Sequence, residues 1–189
     1  MRIRSRALIH MALWASLALP AAAAAPTASQ PARGPLPLEA FFGTYVGNGV
    51  AHRRLPKVAV THRELNVSIE PTEDGFAIAW TTVVHKGRDP KNQRIVRRDS
   101  RLAFVPSGRP NLWRISKEGD PINGETYAWA RIEGNSLITY VSWIDDEGMF
   151  DIQRYARQLT PSGMTVNFEL TREGTEVLNV HAELQKAGQ

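Results

Sequence analysis

The chain has no cysteine among its 189 residues. That excludes disulfides and acylation at a lipobox cysteine, so the folded part must hold itself together by burial alone. Histidine is scarce too. Of five in all, His52, His62 and His85 stand singly, with no His-x-His or His-x-x-x-His pair to begin a zinc set. No metal site is expected. No Gly-x-Ser-x-Gly elbow occurs and no nucleophile–base pair can be named, so no catalytic residue is assigned and the reading turns away from an enzyme. Helical periodicity is nearly missing as well: "PLEAFF" (37–42) is the one stretch that resembles a helical turn.

A true excess of one charge is also lacking. The formal net charge is +4 and the isoelectric point about 9.7, values that would suggest an anionic partner. Much of that excess lies in the first residues. "MRIRSR" holds three arginines and no acid, and is followed by the apolar "ALIHMALWASLALP" and then "AAAAA". A basic start, an apolar middle and small residues at the end describe a secretory signal peptide over 1–25, with cleavage near Ala23 to Ala25. A periplasmic or secreted location is expected. Without Arg2, Arg4 and Arg6, the 23 basic side chains become 20, against 19 acids. Nucleic acid is therefore not an expected partner. Residues 26–35, "PTASQPARGP", read as a flexible linker. Residues 36–189 form one domain able to bury roughly two thirds of its unfolded surface.

What the domain does have is a period of two. "FAIAWTTVV" places Phe76, Ile78, Trp80, Thr82 and Val84 on one face. Leu65, Val67 and Ile69 alternate in "RELNVSIE", Met164, Val166, Phe168 and Leu170 in "MTVNFEL", and Leu178, Val180, Ala182 and Leu184 in "VLNVHAEL". Turn signals such as "PTEDG", "EGN", "DDEG", "TPSG" and "REG" divide these runs. The pattern predicts ten strands, near 43–53, 60–71, 75–86, 93–106, 111–117, 125–133, 136–145, 148–159, 163–171 and 175–186. Ten strands without a crossover helix favour an all-β, antiparallel up-and-down barrel, because closure removes exposed edges. A short helical turn at "PLEAFF" would then sit at one mouth. A two-sheet sandwich is the alternative. Gly43, Gly47 and Gly49 in "FFGTYVGNG" are expected to let the first strand bend sharply and pass close to its neighbours.

The stretch "FFGTYVGNG", the strand count and the closing "RYARQLTPSGMTVNFELTREGTEVLNVHAEL" resemble the calycin group: lipocalins, fatty-acid-binding proteins and nitrobindins. Tyr45 stands where lipocalins and nitrobindins usually carry a tryptophan. The resemblance implies a non-enzymatic barrel that binds a hydrophobic or amphipathic small molecule. In the nitrobindin branch it would imply a haem held by a histidine on the last strand. Here "NVHAEL" puts Asn179 at that position, and alternation turns His181 outward, so no haem or other cofactor is expected.

In the fatty-acid-binding branch the resemblance implies a carboxylate held by arginine and tyrosine near the chain end. "QRYARQ" offers Arg154, Tyr155 and Arg157, of which Tyr155 and Arg157 share a face with Gln153. If that face is internal, a guanidinium and a phenol can grip an acidic head group. Otherwise Phe150, Ile152 and Ala156 point inward and the pair is on the surface. Trp80, Trp113, Trp129 and Trp143, with Tyr127 and Tyr140, either line a cavity or fill a solid core. Arg131 shares a face with Tyr127 and Trp129 and is that wall's polar anchor. The candidate ligand-binding set is thus Tyr155, Arg157, Arg131, Trp129, Tyr127 and Trp80.

"HRRLPK" (52–57) and "KNQRIVRR" (91–98) are basic clusters that either draw an anionic ligand toward a mouth or are dispersed surface charge. The three acids of "WIDDEG" (143–148) read as a solvated hairpin tip. The expected function is binding of a small hydrophobic or amphipathic ligand, an acidic one in the fatty-acid-binding branch, by a monomer or small homo-oligomer, with peripheral membrane contact as a further expected partner. The alternative is an envelope protein that presents its loops to a protein or lipid partner.

Overall fold

The computed structural model describes residues 34–86 and 94–188; the expected leader and nearly all of the linker lie outside the described residues. Ten strands follow one another: β1 Gly43–Arg53, β2 Ala59–Thr72, β3 Gly75–Lys86, β4 Arg94–Pro106, β5 Leu112–Ile115, β6 Tyr127–Glu133, β7 Ser136–Ile144, β8 Phe150–Thr160, β9 Gly163–Arg172 and β10 Thr175–Lys186. Each pairs antiparallel with its chain neighbour, and β1 closes on β10. The sheet is a closed up-and-down barrel, so the sandwich alternative falls.

The chief departure from the expected boundaries is β5, only four residues long. In "GDPING" Pro121 cannot donate to a ladder, and the Asp120 carboxylate accepts from Ile122 N at 2.9 Å, which winds Pro121–Asn123 into a 3-10 turn. As a result β4 pairs with β5 only over Phe104, Val105 and Pro106. Inner-face residues of β4 further along, Arg98 and Ser100, remain exposed.

One mouth is stoppered. The residues Leu38–Phe41 form a 3-10 turn, Leu36 N donates to Gly134 O at 2.7 Å, and the Tyr45 hydroxyl donates to Phe41 O at 3.0 Å. Phe41 is fully buried in a core that includes Tyr45, Ile69, Phe76, Phe104, Leu137, Met164 and Leu184. Phe76 stacks on Phe104 with ring centroids 5.1 Å apart, and Trp113 meets Phe76 edge-on. Each such side chain contributes about 1.5–3 kcal/mol by leaving water. This half of the interior is packed solid.

The first strand needs its glycines. A Cβ on Gly47 would lie 2.0 Å from the Glu183 carbonyl oxygen, and one on Gly49 would lie 2.6 Å from the Ala182 Cβ. Only glycine lets β1 cross β10 this closely. On the outer face Glu64, Glu70, Arg97, Asp99, Arg101, Glu169 and Glu183 alternate with the inward apolar set. That arrangement is the reverse of a lipid-embedded barrel, whose outer band is apolar.

Candidate functional site

Cross-strand partners point to the same side of a sheet, so the register assigns every inner residue. Arg157 pairs with Leu137 and Val166, and Tyr155 with Thr139 and Phe168. Both side chains therefore face the lumen, as does Trp80 opposite Val67. Arg154, Phe150, Ile152 and Ala156 face outward. In β6, "YAWARIE", the alternation runs the other way. There Ala128, Ala130 and Ile132 fill the interior and are at most 4% exposed, while Tyr127, Trp129 and Arg131 lie outside.

The shared face of Tyr127, Trp129 and Arg131 is thus the barrel's exterior, which corrects the expectation of an internal anchor wall. Two small alanines fit where the lumen is crowded by Phe76, Trp113 and Phe104, and the bulky residues are left for the surface. Trp129 stacks on Tyr140 at 4.9 Å, and Arg131 pairs with Glu133. The structure brings together three of the six candidates, Tyr155, Arg157 and Trp80, and separates the other three from them.

Arg157 is the most unusual residue of the lumen. It is 1% exposed and is the largest of the fully buried side chains. Its Nη1 donates to Thr139 Oγ1 at 3.1 Å, whereas its Nε has no partner. The guanidinium lies 4.9 Å from the Tyr155 ring centroid and 5.6 Å from that of Trp80. No carboxylate forms an ion pair with it among the described residues. Burial drags its pKa down to about 10, opposed by the Tyr155 phenol, so it is still a cation at neutral pH. Burial pushes Tyr155 up to about 12 against the pull of Arg157 and Arg63, so the phenol stays protonated and donates to Gln153 Oε1 at 2.8 Å.

Around these groups lies a cavity of about 60 Å³, lined by Arg63, Leu65, Val67, Trp80, Thr82, Tyr155, Arg157, Val166, Phe168 and Val180. Such a space holds a few waters and is far below the 300–1,000 Å³ of pockets that enclose a whole drug-sized ligand. A broader hollow of about 1060 Å³ runs over the outer face of β1–β3, β9 and β10. There Glu64 is bonded to His85, and Arg97 to Asp99; no buried polar group is left waiting.

Three further arginines share the lumen with Arg157 and were absent from the candidate set. Arg63 is opposite Gly49 and Val84, Arg98 is opposite Thr82, and Arg53 is opposite Leu178. Arg63 Nε is buried without a partner, and its pKa is lowered by burial first, then by the charges of Arg53 and Arg98. A signal for them exists in the sequence. Arg63 continues the Leu65, Val67, Ile69 alternation by one step, and Arg98 continues Phe104, Leu102, Ser100. The inner-face acid of the described strands is Asp151, and it is already held by Arg172. In the sheet between Arg63 on β2 and Arg157 on β8, Ala51, Leu178 and Val180 pack with Phe168 and Leu170 into an apolar strip.

The arrangement therefore sets two guanidiniums, Arg63 and Arg157, around one small cavity with aromatic and aliphatic surface beside them, a chemistry that suits an oxyanion. His181, by contrast, faces outward and bonds Asn167, and no cluster of three or more His, Cys, Asp or Glu suited to a metal occurs among the described residues. No family model matches this chain, and no curated protein matches it either.

Proposed function

We propose that this is an exported, non-enzymatic binder of a small acidic amphiphile, in the manner of the calycin barrels its sequence resembles. The anionic head of the ligand enters the lumen and lies between Arg157 and Arg63, and its apolar part runs along the Phe168, Leu170 and Leu178 strip toward the unstoppered mouth. A single observation carries this reading: Arg157 is buried to 1% exposure with an unpartnered Nε and no acid beside it. Burying a lone cation costs several kcal/mol. A fold that needed only packing at this position would use Leu or Met. The small cavity limits what is enclosed to the head group, which makes the ligand one that is gripped by one end.

Intrinsic fluorescence provides the test, because Trp80 touches the head-group site. Decanoate is titrated into the protein alongside decanol, which has the same chain without the charge. Decanoate should quench and saturate while decanol does not, and Arg157→Met should abolish the response. Equal binding of the two, or decanoate binding that survives the substitution, would refute the assignment.

A second reading is favoured by the rim of the same mouth. Leu55, Val58 and Ile122 are 48%, 78% and 81% exposed on its loops, beside the basic "HRRLPK" cluster. Contact of this rim with a lipid surface or a protein partner is compatible with ligand carriage and would be seen as co-sedimentation with anionic vesicles.

A further inference from the structure

Resting on the reading just given, the number of inward arginines speaks to the kind of head group. A monocarboxylate has one charge. It can be held by the free edge of Arg157, and would leave Arg63, Arg53 and Arg98, close enough on β2, β1 and β4 for their charges to act on one another, with no counter-charge among the described residues. Arg63 lines the same cavity as Arg157 and feels the charges of Arg53 and Arg98, and an unpartnered Nε is buried on each of Arg63 and Arg157, as one also is on Arg131 of the outer wall. Like charges gathered on one wall repel, and they are retained on a lumen wall only where something of opposite and matching charge spends time among them. Nearby, Arg172 shows what this fold does with a structural inward arginine: it supplies Asp151 and Asp145 as partners. The other four receive none among the described residues.

We propose that the ligand's head is a phosphate monoester or diphosphate, an oxyanion of at least two negative charges, joined to an apolar chain. A phosphate group brings a charge of about −1.5 to −2 and three acceptor oxygens. One oxygen faces the Arg157 Nε edge, another faces Arg63, and the outer charge lies toward Arg53 and Arg98. The tetrahedral head suits a cavity of about 60 Å³, and the chain follows the apolar strip that lies in the sheet between Arg63 and Arg157.

The experiment compares decyl phosphate, decyl sulfate, decanoate and inorganic phosphate at pH 8, at one fixed ionic strength and below the micellar range. Titration calorimetry on the folded protein reads the affinities. Decyl phosphate should bind at least about tenfold more tightly than decyl sulfate, which carries a similar tetrahedral head with one charge, and than inorganic phosphate, which lacks the chain. In an Arg53→Gln/Arg98→Gln variant the preference for phosphate over sulfate should collapse, with sulfate affinity nearly unchanged. Circular dichroism confirms that this surface-accessible double variant is folded.

Equal affinity for decyl phosphate, decyl sulfate and decanoate, all lost with Arg157→Met, overturns the phosphate assignment and leaves the acidic-amphiphile reading standing. Inorganic phosphate binding as tightly as its decyl ester overturns the amphiphile part, and a preference that survives the double variant overturns the role of the mouth arginines. If none of the alkyl anions binds, both readings fall together.

Discussion

Arg172 holds Asp151 by two parallel hydrogen bonds, Nε to Oδ1 at 2.8 Å and Nη2 to Oδ2 at 2.6 Å, between directly opposed positions of β8 and β9. Asp151 is 1% exposed, so its charge depends on this fork. Two and three strand steps away on the same face, Tyr155 and Arg157 have no such acid among the described residues. One arginine has its counter-charge inside the barrel and the other does not.

Asp151→Asn should accordingly lower the midpoint of thermal unfolding by several degrees, since it leaves Arg172 with a neutral partner and disturbs a buried network. Arg97→Gln, at the exposed Arg97–Asp99 pair, should leave the midpoint where it was. Equal effects from the two changes would contradict the distinction. Differential scanning calorimetry measures both.

Arg157→Met should have opposite effects on stability and binding. Relief of the buried charge, less the cation–π contacts with Trp80 and Tyr155, should raise the unfolding free energy of the ligand-free protein by about 1–2 kcal/mol. Urea denaturation reads this. A destabilised variant would mean that Arg157 is there for packing.

Tyr155 gives the stability curve an alkaline signature. Its folded pKa is about 12, against about 10 in the unfolded chain. Between those values the unfolded chain has given up a proton that the folded one keeps. The phenol's contribution is therefore fully present below pH 10 and lost as the pH rises through about 12. Tyr155→Phe should show a shallower fall in stability from pH 10 to 11.5, by up to about 1.4 kcal/mol per pH unit. Arg157 works in the opposite direction and is common to both proteins. Parallel curves for the two proteins would show that burial of the phenol is not what the structure implies.

Gly47→Ala should cost about 1–3 kcal/mol of stability, because the new methyl meets the Glu183 carbonyl at 2.0 Å and the two strands must part. Gly34→Ala, with nothing within 4 Å of the added carbon, is the neutral control. Chemical denaturation midpoints separate them.

Arg131→Gln and Trp129→Ala should leave anion affinity within about twofold of the parent, well under the 1.4 kcal/mol that a tenfold change represents. Loss of binding in either would put the site on the outer wall after all, and the fluorescence titration decides it.

Those two residues also show where sequence reasoning stops. Strand positions, turns and the closed barrel were legible because period-two alternation and glycine-bearing turns act locally. The inward face was legible wherever it was apolar, as in β2, β3, β9 and β10. It was not legible in β6, where both faces are plausible: small alanines on one, Tyr127, Trp129 and Arg131 on the other. Large aromatics suggested an interior, yet the lumen beside Phe76 and Trp113 has room only for alanine, a fact of three-dimensional crowding. In β8 every residue from Asp151 to Gln158 but Ile152 and Ala156 is polar or aromatic, so alternation alone left two answers. Closure against Val166 and Phe168 chose between them. Arg53, Arg63 and Arg98 were hidden for a related reason. Each extends an apolar alternation past the point where charge ordinarily marks the outside.

The 3-10 stopper built from Leu38–Phe41 makes the barrel a cup and not a pipe. The ligand proposed above would arrive and depart over the same rim, because the stopper closes the other end. Loading and unloading then compete for the same threshold, and a donor and an acceptor cannot be engaged at once. On the ligand-carrying reading proposed above, this shape fits shuttling back and forth and does not fit a continuous channel between two stations.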